Sequence, residues 1–152
     1  MTKPRDFIDQ INIVQTLLGL DFGNKTIGIA VSDKSKTIAT PIITIKRKGI
    51  LKDIEKLLSI LGEYDVGGII LGLPLSLDGN ENERTEKVRN FAKELQKCKD
   101  INIAFQDERY SSDVIYKELR KNSLSKDKIK KKIDQMAASY ILQGFLDNAN
   151  RT

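Results

Sequence analysis

Residues 16–33 read Thr16-Leu17-Leu18-Gly19-Leu20-Asp21-Phe22-Gly23-Asn24-Lys25-Thr26-Ile27-Gly28-Ile29-Ala30-Val31-Ser32-Asp33. An apolar run from Leu17 to Leu20 ends in a carboxylate at Asp21. A Phe22-Gly23-Asn24 turn follows, and then Ile27, Ile29 and Val31 alternate with the small Gly28 and Ala30. Period-two alternation on either side of a glycine-containing turn predicts a β-hairpin. A third strand is expected from Thr37 to Ile45, where β-branched residues dominate; Pro41 has no N–H to give a neighbour and marks an edge position.

Beyond the hairpin the period changes. Ile50, Ile54, Leu57, Leu58 and Leu61 recur at helical spacing, with Gly62 near the expected end. Val66 to Leu73 is apolar throughout, as a strand covered on both faces should be, and stops at Pro74. Val88, Phe91, Ala92 and Leu95 mark a second helix, and Ile101, Ile103 and Phe105 a further strand. Ser111 or Ser112 is positioned to cap a third helix carrying Val114, Ile115 and Leu119. A last helix, Ile133 to Leu146, is apolar around most of its circumference and so expected to be buried. The order β-β-β-α-β-α-β-α-α predicts an α/β fold. Its mixed five-stranded sheet has three antiparallel strands continuing into parallel ones, with helices on both faces. Residues 1–15, mixed and polar, are read as an N-terminal extension and residues 16–150 as a single domain.

The 152 residues contain no histidine, so Ser/His/Asp and Cys/His nucleophilic pairs, imidazole zinc sites and histidine general bases are excluded. The lone Cys98 has no partner for an internal disulfide, which fits a reducing compartment. Carboxylates are left as the agents of any catalysis. The formal charge is +5, and Lys117 to Lys132 holds eight basic residues against two acids, a net of +6 that leaves −1 for the rest. One concentrated basic segment on a near-neutral body is the footprint of a polyanion-binding protein, with a solvated lysine-rich loop as the ordinary alternative. Lys128, Lys130 and Lys131 are its candidate phosphate contacts. No apolar run approaches the ~18–20 residues of a membrane span. The first residues lack a signal peptide's apolar core, and the chain is expected to be cytoplasmic.

In sheets of this kind sites collect beyond the carboxyl ends of the parallel strands. Asp21 ends the first strand, Asp107-Glu108 the last, and Asp134 opens the final helix on one face with Ala138, Ile141 and Phe145. Ala137 and Ala138 are small enough for that helix to approach the sheet closely. A carboxylate on a buried stripe must be paired, hydrogen-bonded or coordinated. Three converging anions call for a divalent cation, and oxygen-only ligands select Mg²⁺ or Mn²⁺. Each acid also has an ordinary reading: a turn-shaping Asp21, a local Glu108–Arg109 ion pair, and an Asp134 serving as helix cap or first-turn acid. Strand alternation alone does not choose between Asp107 and Glu108. Gly72-Leu73-Pro74 with Gly79 is a strand-to-loop passage whose N–H groups either meet phosphate or close a structural turn. Lys25 and Arg109 are further candidate phosphate contacts.

Leu20 to Asp33, Gly72-Leu73-Pro74 with Gly79, Asp107-Glu108-Arg109-Tyr110-Ser111-Ser112, and Ile133 to Ala138 with Ile141-Leu142 together resemble the YqgF family. Its members are also called RuvX-like pre-16S rRNA nucleases or Holliday junction resolvases. The resemblance spans about residues 16–147, with four motifs in the same order and spacing. It implies an RNase H-like fold and a metal-dependent phosphodiesterase. Carried across residue by residue, the family's acidic triad falls on Asp21, Glu108 and Asp134, which selects Glu108 over Asp107. Two-metal chemistry would follow, with ions ~3.5–4 Å apart activating water and stabilising the leaving oxygen, and Asp21 as the bridging ligand.

Within nucleases, processing of the 5′ end of pre-16S rRNA is compatible with a monomer, whereas symmetric cutting of branched DNA by a junction resolvase requires a C2 dimer. No clear dimer face stands out, which favours the monomeric RNA enzyme. An actin-like phosphotransferase needs the unit twice, and this chain has length for one. A non-catalytic nucleic-acid-binding module is the remaining alternative.

Overall fold

The hairpin forms as its alternation requires. The protein is described by a computed structural model covering residues 3–109, 120–121 and 125–151, the side chains of Lys130, Lys131 and Asp134 lying outside the described residues. Strands β1 (Thr16–Phe22) and β2 (Thr26–Ser32) pair antiparallel, with Asp21 opposite Gly28. Strand β3 (Ala39–Lys46) pairs antiparallel to β2 and occupies an edge, where the missing N–H of Pro41 is tolerated. Helix α2 (Ile50–Glu63), strand β4 (Val66–Leu73), helix α3 (Glu83–Cys98) and strand β5 (Asn102–Asp107) follow, and β1-β4-β5 run parallel. The sheet order is β3-β2-β1-β4-β5. The third helix expected around Val114, Ile115 and Leu119, with its Ser111 or Ser112 cap, lies outside the described residues.

Each face of the sheet buries its own core. Leu18, Leu20, Ile69, Leu71 and Leu73 cluster with Leu57, Phe91 and Leu95 of α2 and α3. The alternate residues, Leu17, Ala30, Ile70 and Ala104, cluster with Ala138, Ile141, Leu142, Phe145 and Leu146 of the last helix, α4 (Lys126–Asn150). Each large aliphatic side chain so covered contributes about 1.5–3 kcal/mol. The small residues of α4 do bring it close: a Cβ on Gly19 would stand 2.9 Å from the Ala138 carbonyl oxygen. Within residues 1–15, expected to be an extension, helix α1 (Pro4–Asp9) is packed into this second core. Phe7, Ile8 and Ile11 are buried, and the Phe7 ring meets Phe145 edge-on at 5.7 Å. Three apolar residues in a polar stretch carry too little periodicity to announce this.

The last helix starts earlier than expected, at Lys126 instead of Ile133. Lysine is a good helix former, Ser125 caps the end by accepting from the Lys128 N–H at 3.4 Å, and Asp127 suits the first turn. Ile129 is fully buried with Ile133 and Tyr140 packed against it, anchoring those turns. The second half of the basic segment is therefore helix, with Lys126, Lys128 and Lys132 exposed. Asp134 sits in the helix interior, which removes its reading as a cap or first-turn acid. No described helix is long and apolar enough to cross a membrane.

Candidate active site

Parity decides which acids share a face. On β1 the odd positions, Leu17 and Gly19, point toward α4, and Asp21 continues that series at the strand's end. On β4 the corresponding residue is Gly72, and a methyl group there would collide with the Glu108 carboxylate and with Ile141 of α4. Glu108 is held at that point by its own backbone, its N–H donating to the Leu73 carbonyl at 3.2 Å. The middle strand thus contributes empty space, between a carboxylate on one neighbour and a carboxylate on the other.

Electrostatics shows that the two acids sense each other. Glu108 is pushed up to about 7, first by burial and then by the Asp21 charge; Arg84 opposes this and Asp107 adds to it. Asp107 behaves oppositely. The Arg109 guanidinium beside it holds its carboxyl below the usual range, against a smaller desolvation effect. Arg109 approaches Asp107 Oδ2 through Nη2 at 2.6 Å and Nε at 2.8 Å, and its backbone N–H donates to Oδ1 at 2.9 Å. Both Asp107 oxygens are engaged, so of the adjacent pair Glu108 is the acid turned to the α4 face.

Of the remaining candidates, Lys25 and Arg109 lie at this end of the sheet. Lys25 is exposed in the hairpin turn that follows the strand carrying Asp21. Arg109 also donates to the Leu77 carbonyl at 3.2 Å and lies against Gly79, which takes φ 89. In the loop after Pro74, the Ser76 N–H goes to Asn80 O, the Gly79 N–H to Ser76 O and the Asn80 N–H to Asp78 Oδ1. These donors close a turn, so the structural reading of that passage holds. The Asp134 backbone stands one turn before Ala138 in α4; its side chain, and those of Lys130 and Lys131, lie outside the described residues. Among the described residues, no group of three or more His, Cys, Asp and Glu side chains is arranged to hold a metal. Asp21 and Glu108 fit one in part: their donors are all carboxylate oxygen, and one of them is raised by the other's charge.

Sequence reasoning missed Arg84 and Lys87. Both are exposed on α3 and border a shallow hollow with Phe22, Gly23, Asn24 and Pro74. The available signal was the capping box Asn82-x-x-Thr85, which starts α3 just past Pro74: Asn82 accepts from the Thr85 N–H, and Thr85 Oγ1 donates to the Pro74 carbonyl at 2.9 Å. A helix started there must present its first exposed cations to the carboxyl end of β4.

The family model described as RuvX: Holliday junction resolvase matches residues 15–148. The chain belongs to the RuvX family. A RuvX relative from Paramagnetospirillum magneticum is 45% identical over 145 residues, covering 95% of this chain and 94% of its own. Another, from a Ruegeria species, is 44% identical over 142 residues, with 93% and 90% covered. Both carry the name "Putative pre-16S rRNA nuclease". The fold is also that of Thermus thermophilus RuvC (TM-score 0.54, 10% identity, covering 90% of this chain and 96% of that one). The fowlpox virus Holliday junction resolvase is similar too (TM-score 0.51, 16% identity, 88% and 99% covered). The RuvX chain therefore has the RNase H-like fold that its hairpin and strand order predicted.

Proposed function

We propose that this nuclease hydrolyses phosphodiester bonds at the 5′ end of pre-16S rRNA, using Asp21, Glu108 and Asp134 around divalent cations. The observation that carries the reading is the pair of carboxylates facing one another across Gly72 at the carboxyl end of the sheet, in a chain whose relatives carry that nuclease name. Asp21, Glu108 and Asp134 would hold Mg²⁺ or Mn²⁺. When bound, the cations neutralise the phosphate and lower the pKa of the attacking water.

The chain's own groups supply the rest. Burial and the Asp21 charge raise Glu108 to about 7, so below that pH it holds a proton that cation binding must displace, and loading improves as pH rises. Lys25, Arg84 and Lys87 stand at the same edge to orient phosphate oxygens. Arg109 ties the loop at Leu77 to Asp107, and in this reading also meets the substrate; Lys128, Lys130 and Lys131 draw in the polyanion. With no imidazole in the chain, the proton has no histidine relay, and the pH dependence of the rate should track the metal used.

The test is cleavage of a pre-16S 5′-leader RNA with Mg²⁺ or Mn²⁺ by wild type, Asp21→Asn and Glu108→Gln. Each variant should lose activity by about 10²–10³-fold or more while still unfolding in a single cooperative transition. Retained activity sinks the assignment. The family model's description favours a second substrate, a four-way DNA junction. Paired symmetric cuts by a dimer would establish it, whereas cutting of the RNA by a monomer supports the first.

A further inference from the structure

On the flank of the sheet away from β5, edge strand β3 and helix α2 enclose a groove of about 710 Å³. Ile43 and Ile45 line it, and Lys46, Lys48, Lys52 and Lys56, all exposed, surround it. Two acids are present as well. Asp53 is buried and engaged, accepting from Arg47 Nε at 3.0 Å and from the Lys48 N–H at 2.8 Å. Glu55 is left facing four lysines.

The groove is tied to the candidate active site through the hairpin. Lys46 pairs in register with Thr26, and the Arg47 N–H donates to the Lys25 carbonyl at 2.9 Å. The Arg47 guanidinium lies 4.3 Å from the centroid of the Phe22 ring, next in sequence to Asp21, and reaches the Gly23 carbonyl at 3.3 Å. Lys25, Lys46, Arg47, Lys48, Lys52 and Lys56 are thus carried on one connected stretch of hairpin, β3 and α2, with Asp53 and Glu55 among them.

We infer that this groove binds a single-stranded stretch of the RNA substrate away from the bond that is cut, an inference that rests on the nuclease reading above. Lys52 and Lys56 stand one helical turn, about 6 Å, apart, a spacing suited to successive phosphates of an extended strand. Ile43, 43% exposed above the buried Ile45, offers apolar contact to sugars and base faces. Among the described residues, no aromatic side chain lines the groove. Binding there is led by phosphate and indifferent to sequence, as suits a track for flanking nucleotides.

The experiment measures binding of a fluorescent single-stranded RNA to the full chain in EDTA across a salt series. Lys48→Glu/Lys52→Glu/Lys56→Glu should weaken binding about tenfold or more at moderate salt and lower the log–log salt slope by about 2, at ~0.7 per lost contact. Lys93→Glu/Lys97→Glu/Lys99→Glu, an equal change of net charge on and just past the far end of α3, should have a much smaller effect. Lys52→Gln/Lys56→Gln serves if the groove triple variant fails to fold. Equal responses of the two triple variants overturn the inference, as does loss of an oligoglutamate peptide instead of RNA, which would make the groove a protein-docking site. A wild type that binds and cleaves RNA beside an unaffected groove variant sinks this inference alone; a wild type that binds no RNA sinks the substrate reading with it.

Discussion

Toward α2 and α3 the central strands present Leu18, Leu20, Ile69, Leu71 and Leu73; toward α4 the same two strands present Gly19 and Gly72 beside Leu17 and Ile70, while Gly68 on that face meets Phe7 and Ile11. Bulk on the first face holds its helices off the sheet and fills the gap with interdigitated side chains. Glycine on the second lets the α4 backbone press against the strands. The acids lie on the second face because only there does a central strand leave side-chain volume vacant at its carboxyl end. One face is built for stability and the other for placement, and each can be perturbed separately.

The largest contrast should come from adjacent residues of β4. Leu71→Ala leaves a cavity in the bulky face and should cost about 2–5 kcal/mol in urea unfolding, with the cleavage rate per folded molecule nearly intact. Gly72→Ala adds one methyl against Glu108 and Ile141 and should cost less, about 1–3 kcal/mol, while cutting cleavage by at least tenfold. Equal activity losses in the two variants would erase the division between faces.

Next in size is a pH effect confined to the site face. In the cation-free protein Glu108 titrates near 7, above its ordinary 4.5. A folded-state pKa raised in this way means the native chain binds the extra proton. Its contribution to stability is complete below about 4.5 and is lost as pH rises through 7. Melting temperature without divalent ions should therefore fall over that window. Mg²⁺ should raise it more at pH 8 than at pH 5, where protons compete. Asp21→Asn removes a charge that raises Glu108 and should flatten the trend. An equal Mg²⁺ shift at both pH values would place the ion elsewhere.

The smallest effect belongs to the exposed turns that lead α4 toward the site. Lys126→Glu with Lys128→Glu should lower the salt slope of RNA binding by about 1.4, at ~0.7 per contact, leaving the melting temperature within a few degrees. An unchanged slope would mean that these turns are only a solvated helix start.

Local physics made much of this legible from residues alone. Alternation around Gly23 disclosed the hairpin, Pro41 the edge, the unbroken apolar run to Leu73 a strand covered on both faces, and Ala138 a close-packed helix. Asp21 could be placed because a strand's end and its parity follow from its own neighbours. The start of α4 was less legible: a run of lysines reads as a solvated loop until buried Ile129 shows what the turns pack against.

What the amino-acid sequence determined by itself was the five strands in their order, α2, α3 and most of α4, with Asp21 and the Asp107-Glu108 pair at strand ends, because backbone period and turn chemistry are local. Tertiary structure decided the relations between them. It committed Asp107 to Arg109 and turned Glu108 to the α4 face; it set Gly72 between the acids; it brought Phe7 to Phe145 and Arg84 to the carboxyl end of β4. These outcomes depend on register and on which helix covers which face. A chain settles them only when distant segments compete for the same buried space.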